Sequence, residues 1–538
     1  MTTRLVDSAA VTGDSLAVAG WTAVSRASGV VRFAVVGAVL GPTYFGNTFQ
    51  FTNTLPNLVY YGFLGGSLFA SLLVPALVGH IDAGDRAGSA RLAGGFLGTV
   101  LVALAVVAVP AVLLGPLALR ADGQEHVARL LLLMFVPQLF CYGVIGTSTA
   151  VMYAHRRFPL AAAAPALENL GIIAVLAVAA VRYGTGTGVT TVGTGELLLL
   201  GLGTTGAVAG HAAVQWWGAR RAGVTLVPRP GLRDPEVRAL VRRAAPSVAQ
   251  AGLVAGQVLV LLVLANRVPG GVVAFQLALS FYAVAIALGA EPVGLSLLPR
   301  LARVHFDGDT AGFRDALGRG LGLGLFVTAP AAMLYAVLAT PLARAVSFGR
   351  MGTADGVTLV AVSLAALAVA VLGQTVFMIC TYASYARGDS HSPLRATVAQ
   401  VLLCVGLAGT SLLARGPTVL ALLGLAYSAG AVAAGVRLGS RLLPRMPSGV
   451  RLGSSLARSV AGAVLMAGPA WLTATVVSSV VGRPLGAGVG LVAALVVGGA
   501  AYLGAEALLR SPELAAMACG LRNLRGRLAR VPGGARHG

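Results

Sequence analysis

"NTLPNLVYYGFLGGSLFASLLVPALV", Asn53–Val78, is apolar enough to lie in lipid, yet it opens with Asn53, Pro56 and Asn57 and carries a tyrosine pair and a Gly-Gly step. A bilayer's hydrocarbon core takes about 20 apolar residues per helix, and this stretch supplies them. The question it raises is what a membrane helix does with polar and helix-disfavouring residues at its start.

The rest of the chain shares its apolar character. Of 538 residues, 57% are hydrophobic and only 11% charged, and mean hydropathy is +0.84. A soluble domain carries about 25% charged residues, so the composition excludes a water-soluble protein. On the 20-residue rule there are about fourteen spans, the first centred near Val31, the second near Leu68 and the last near Ala494. The expected fold is therefore all-α and polytopic. The four cysteines lack metal or redox spacing and read as small hydrophobes. Arg4, Asp7 and Asp14 at the start, and Arg26 and Arg32 in the apolar stretch that follows, do not fit a cleavable signal peptide.

A net charge of +21 suggests nucleic acid at first sight, but every one of the 39 basic residues is arginine, and their placement decides the matter. Counting both termini and the even-numbered loops gives 29 arginines, against 8 in the odd-numbered loops and 2, Arg26 and Arg32, inside a span. That is the positive-inside bias, with both termini cytoplasmic. The charge is topological, and no nucleic-acid partner is expected. The polybasic C-terminal tail reads as an anchor to anionic lipid headgroups.

The chain also repeats. "LVPALVGHIDAGDRAGSARLAGGFLG" from Leu73 resembles "LLPRLARVHFDGDTAGFRDALGRGLG" from Leu297, with Asp85 and Asp309 separated by 224. "MYAHRRFPLAAAAP" resembles "SYARGDSHSPLRAT", with Tyr153 and Tyr385 separated by 232. Two six-span lobes in the same orientation are expected at 16–222 and 223–440, after a cytoplasmic tail at 1–15. Two extra helices at 441–510 and a basic tail at 511–538 complete the plan. Duplicated lobes around a midplane site are a common basis for alternating access.

Charges inside the spans mark the candidate site. An arginine at a helix centre costs roughly 2.5–3.5 kcal/mol on insertion scales, so Arg26 and Arg32 are read as lining a water-filled cavity, with Gly29 between them allowing close helix approach. Snorkelling to the headgroups is the alternative, better suited to Arg26 than to Arg32. Glu168 and Glu291 sit in the fifth and eighth spans and could pair with the arginines, carry a proton or bind a cation. A neutral, hydrogen-bonded glutamic acid is the bland alternative for both. Glu506 reads as interfacial, and His211 as an interhelical hydrogen-bonder. No catalytic triad, metal cluster or nucleotide loop is evident, so neither an enzyme nor a cofactor is expected.

The stretch "SRASGVVRFAVVGAVLGPTYFGNTFQFTNTLPNLVYYGFLGGSLFASLLVP", Ser25–Pro75, resembles the first two helices of the MurJ (MviN) family, lipid II flippases with a MATE-like fold. The resemblance implies two six-helix lobes plus two C-terminal helices. It also implies a lipid-linked cell-wall precursor as substrate in the bacterial cytoplasmic membrane. Membrane lipids and cell-wall synthesis proteins are the implied partners, and membrane potential or a monovalent cation the implied coupling.

The implied cavity residues are Arg26, Arg32, Asn47, Asn57, Tyr60 and Ser280. Pro56 would break the second helix beside the cavity, while Gly65 and Gly66 would let the first two helices pack. The chain departs from the family where a cavity aspartate aligns with Asn47 and an arginine with Tyr60 or Tyr61. A second arginine falls near Ser280, and an acidic residue becomes Leu64. Those losses point to a ligand with fewer charges. A MATE-like exporter of small amphiphiles and a transport-inactive cell-wall scaffold stand as the other readings.

Overall fold

The computed structural model describes residues 2–60, 73–119, 121, 123–443, 452–482, 485–515 and 517–518, with backbone only for 2–19 and 452. Among these residues there is no strand. The chain opens with α1 (Thr2–Leu40), α2 (Tyr44–Val59), α3 (Val74–Asp82), α4 (Arg86–Leu114), α5 (Gln124–Ala154) and α6 (Phe158–Tyr183). Next come α7 (Thr194–Arg221), α8 (Pro235–Ala265) and α9 (Gly271–Ala285), the last running through a π-helical turn, Ile286–Ala290, into α10 (Glu291–Phe306). After α11 (Thr310–Val337) and the short α12 (Ala339–Val346) follow α13 (Ala354–Ala386), α14 (His391–Ala408) and α15 (Pro417–Leu442). The last two are α16 (Leu452–Val481) and α17 (Gly486–Leu508).

Thirteen helices among the described residues are long and apolar enough to cross a membrane. Each contains one of the expected span centres. The remaining centre, Leu68, lies outside the described residues, as do Tyr61, Leu64, Gly65 and Gly66. Large apolar side chains stand outward, with Val181 and Leu413 more than 90% exposed. Such surfaces suit lipid, not water.

Two compact units carry the contacts. The first comprises 1–284, 346–367 and 390–430, and the second 285–345, 368–389 and 431–538. In the first, Phe45 and Phe49 of α2 are fully buried, and the Phe49 ring meets Phe135 of α5 edge-on at 6.1 Å. Gly171 lets α6 pack closely on α7, because a β-carbon there would stand 2.7 Å from Ala207. In the second, α16 and α17 pair, and α11 packs on α16, with Phe326 of α11, Met466 of α16 and Tyr502 of α17 in one buried cluster. Small residues at such contacts let backbones approach where no hydrophobic effect drives helices together.

The sequence repeat is present in the backbone. Asp85 accepts from the Gly88 N–H at 2.7 Å at the start of α4, and Asp309 accepts from Gly312 at 2.8 Å at the start of α11. Gly84 (φ 70°) and Gly308 (φ 72°) precede these caps. The turn hydrogen bonds match at the same offset, Asp85 N–H to His80 C=O and Asp309 N–H to Val304 C=O. The Asp85 carboxyl is held below its usual range, chiefly by the Gly88 N–H, against the opposing effect of desolvation.

The second repeat matches as well. Arg157 donates to Met152 C=O as Asp389 donates to Ser384 C=O, and Arg156 (φ 56°) occupies the left-handed position that Gly388 (φ 72°) fills in its counterpart. A side chain there costs about 1–2 kcal/mol, partly offset by the freedom glycine loses on folding. Arg156→Gly is therefore expected to raise stability and Gly388→Arg to lower it, each by about 1 kcal/mol. Thermal unfolding of the detergent-solubilised protein reads both.

Candidate functional site

The polar residues ahead of the opening stretch sit on α2, which is buried along most of its length. Asn47 is fully buried, donates to Val268 C=O at 2.8 Å and accepts from Val272 N–H at 3.0 Å. It thus closes the turn between α8 and α9 and caps the first turn of α9. Thr48 accepts from Gln124 at 2.9 Å, and Gln124 also bonds Asn266. Thr54 accepts from both Gln50 and Gln276, each at 3.0 Å. These contacts answer much of the opening question. A helix surrounded by other helices uses polar side chains as interhelical fasteners.

Pro56 was expected to break this helix, but α2 runs through Pro56 and Asn57 to Val59. A proline removes one backbone hydrogen bond and bends the axis, and neighbouring helices can support that bend. Gly29 was expected to be needed for close packing, yet a β-carbon there would lie 3.7 Å from Asn169 Nδ2, an ordinary contact. Asn169 spans this interface itself, donating to Ser28 Oγ at 2.9 Å.

Arg32 is 8% exposed and pairs with Glu168 of α6, its guanidinium nitrogen 3.7 Å from Oε1. Glu168 spends its short hydrogen bonds elsewhere. Tyr142 of α5 donates to Oε1 at 2.9 Å, and His211 Nδ1 of α7 lies 2.8 Å from Oε2. On the far side of the ring, Gln215 Nε2 lies 3.3 Å from His211 Nε2 and 3.3 Å from Ala161 C=O. Glu168 is thus held from three neighbouring helices, by Tyr142, His211 and Arg32, and Arg32 brings a positive charge to the carboxylate. Among the described residues Arg32 is held by charge across 3.7 Å and makes no hydrogen bond, so its donor fork is not spent on Glu168.

Around this centre, Tyr60 stacks on Tyr142 with ring centroids 5.1 Å apart. Arg32, Glu168 and Tyr60 are thus brought together. Asn47 lies instead at the α8–α9 turn, Asn57 is half-buried on α2, and Ser280 turns its hydroxyl onto Leu277 C=O at 2.6 Å within its own helix. Arg26 is exposed and makes no ion pair among the described residues. Glu291 belongs to the second unit, half-buried at the start of α10 immediately after the π-helical turn. Sequence reading missed Tyr142 and Gln215. The available signal was Glu168 itself, since a buried carboxylate in a span requires donors from neighbouring helices.

The family profile described as "Lipid II flippase MurJ" matches residues 36–485. The chain belongs to the MurJ family. The match begins just after Arg32, so both intramembrane arginines precede it. A probable lipid II flippase MurJ of Rhizobium tropici is 27% identical over 401 residues, covering 72% of this chain and 73% of the relative. Among solved structures, "Lipid II flippase MurJ, inward closed conformation" superposes with TM-score 0.71 at 15% identity, covering 91% of this chain and 98% of that one. An inward-facing multidrug resistance MATE family transporter of the MOP superfamily gives TM-score 0.61 at 14% identity, over 78% and 94% of the two chains. These likenesses establish a MurJ-type, MATE-like fold for a multi-pass membrane protein.

Proposed function

We propose that this MurJ family member moves a lipid-linked cell-wall precursor, lipid II or a related polyprenyl-pyrophosphate glycan, across the cytoplasmic membrane by alternating access. The observation that carries the reading is Arg32, a buried cation in a spanning helix whose only ion-pair partner among the described residues is a carboxylate at 3.7 Å. A pyrophosphate offers the bidentate acceptors that the guanidinium fork favours and Glu168 does not fill. On this mechanism the incoming anion draws Arg32 from Glu168, and Glu168, still held by Tyr142 and His211, takes a proton or monovalent cation in exchange. That swap gives the ligand a differential interaction with two states, as any ligand-driven conformational shift requires.

In this scheme both termini are cytoplasmic. Cysteine at Gly188 is expected to label from outside, and cysteine at Arg229 only after permeabilisation. The reverse pattern would remove the topology and the direction of transport with it. The decisive functional experiment is complementation of a cell depleted of its own lipid II flippase. Growth restored by this chain supports lipid II as substrate. Failure by a protein correctly inserted in the membrane points to a less charged ligand, consistent with Asn47, Tyr60 and Ser280 standing where the family carries charge.

A further inference from the structure

The turn that starts α11 opens onto a cleft of about 260 Å³ in the second unit. Three arginines line it from three separate elements: Arg314 near the start of α11, Arg387 in the turn after α13 and Arg441 at the end of α15. None of them makes an ion pair among the described residues. The carboxylate on the wall, Asp309, caps α11 by accepting from Gly312 N–H at 2.8 Å. Asp315, beside Arg314 in sequence, pairs with Arg319 on its own helix. The Arg387 guanidinium stands 6.0 Å over the buried Phe313 ring, and His305 meets the same ring edge-on at 6.1 Å.

Like charges drawn to one cleft repel, and an anion between them reverses that cost. Position adds to the effect. The cleft borders the N-terminus of a 28-residue helix, where the dipole is positive and the first N–H groups lack partners inside the helix. The matching turn before α4 shows what such a place takes. There His80 faces Glu236 at 3.2 Å and Arg91 faces Asp234 at 3.4 Å, both carboxylates coming from the start of α8. At the α11 turn no carboxylate but the cap itself lines the cleft among the described residues. The chain brings its own anions to one turn and leaves the other to an outside anion. A phosphate, with up to two charges and several acceptor oxygens, matches more than one guanidinium fork at once.

We propose that this cleft binds a phosphate group, carried by an anionic lipid headgroup or by a soluble phosphate ester. Phe306, almost fully exposed next to His305, suits the boundary between headgroups and acyl chains and favours the lipid as the source. The site is separate from Arg32, which belongs to the first unit.

The test uses the full-length protein purified in a maltoside detergent. It is titrated with phosphatidylglycerol and, in parallel, with glycerol 1-phosphate, and native mass spectrometry reads the affinity of the first molecule bound. Arg387→Gln and Arg441→Gln change exposed side chains, and each is expected to weaken binding about tenfold. Arg437→Gln removes the same charge one turn earlier on α15, outside the cleft, and is expected to bind as the wild type does. Arg32→Ala is also expected to bind normally, which separates the cleft from the proposed transport site. Binding of phosphatidylglycerol alone identifies a lipid headgroup as the ligand, and binding of glycerol 1-phosphate a soluble ester. The proposal is overturned if neither probe binds, if Arg387→Gln and Arg441→Gln bind as tightly as the wild type, or if Arg32→Ala removes binding. It is equally overturned if Arg437→Gln weakens binding as much as the cleft variants do, since general surface charge would then account for it.

Discussion

Arg32→Ala is expected to abolish transport while leaving an inserted, folded protein. Each charge-assisted hydrogen bond from a guanidinium contributes about 1.5–3 kcal/mol, so losing a two-pronged grip on a phosphate corresponds to a loss of about 100-fold or more. Complementation of flippase-depleted cells is expected to fail, with membrane abundance at or above wild type because an insertion cost has been removed. Stability is protected for a local reason. Glu168 keeps its hydrogen bonds from Tyr142 and His211 at 2.9 and 2.8 Å, which limit the cost of a carboxylate left without its arginine.

Arg32→Lys retains the charge without the planar fork and is expected to restore part of the activity. Removing the other partner is the informative contrast. Glu168→Ala leaves a buried guanidinium without its anion, and breaking a buried pair in this way costs about 3–5 kcal/mol. Wild-type complementation by Arg32→Ala would end the role of Arg32 as the headgroup ligand.

The fold was legible to the extent that lipid imposes it. Long apolar runs define spans, and thirteen of the expected centres fall in helices of spanning length. The duplication was legible because its turns rely on residues with few substitutes, an aspartate cap and a glycine at positive φ, as at Gly84–Asp85 and Gly308–Asp309. The centre around Arg32 was half legible. Arg32 and Glu168 stand out as charges in apolar sequence, but Tyr142 and Gln215 look like ordinary helix residues until α5, α6 and α7 are packed together. Glu506, expected at the interface, is fully buried and was misplaced because position along a helix was taken to indicate depth. Burial there depends on α16, where Gly462 leaves room for the carboxylate, and position along α17 does not report it. Pro56 was misread for a related reason, since the tendency of proline to break an isolated helix yields to neighbours that support the helix on either side of it.

Asn47 yields the sharpest test of whether family chemistry can be restored one residue at a time. Asn47→Asp returns the acidic residue that the MurJ resemblance places at this position, and it is expected to damage the protein rather than improve it. The Oδ1 contact to Val272 N–H survives the change, and a negative charge at the first turn of α9 gains about 0.3–1 kcal/mol from the helix dipole, up to about 2 when partly buried. Against this, the amide N–H that reaches Val268 C=O at 2.8 Å becomes a second acceptor facing an acceptor. The side chain is fully buried, its partners among the described residues are two backbone groups, and a buried charge without a partner costs about 3–5 kcal/mol. Burial outweighs the dipole, leaving a net loss of about 2–3 kcal/mol. The expected result is a clear fall in thermal midpoint and in the yield of monodisperse protein, with Asn47→Ala losing a comparable amount through two orphaned backbone groups. A stable, more active Asn47→Asp variant would show instead that the α8–α9 turn can release Val268, and that this position still belongs to the transport path.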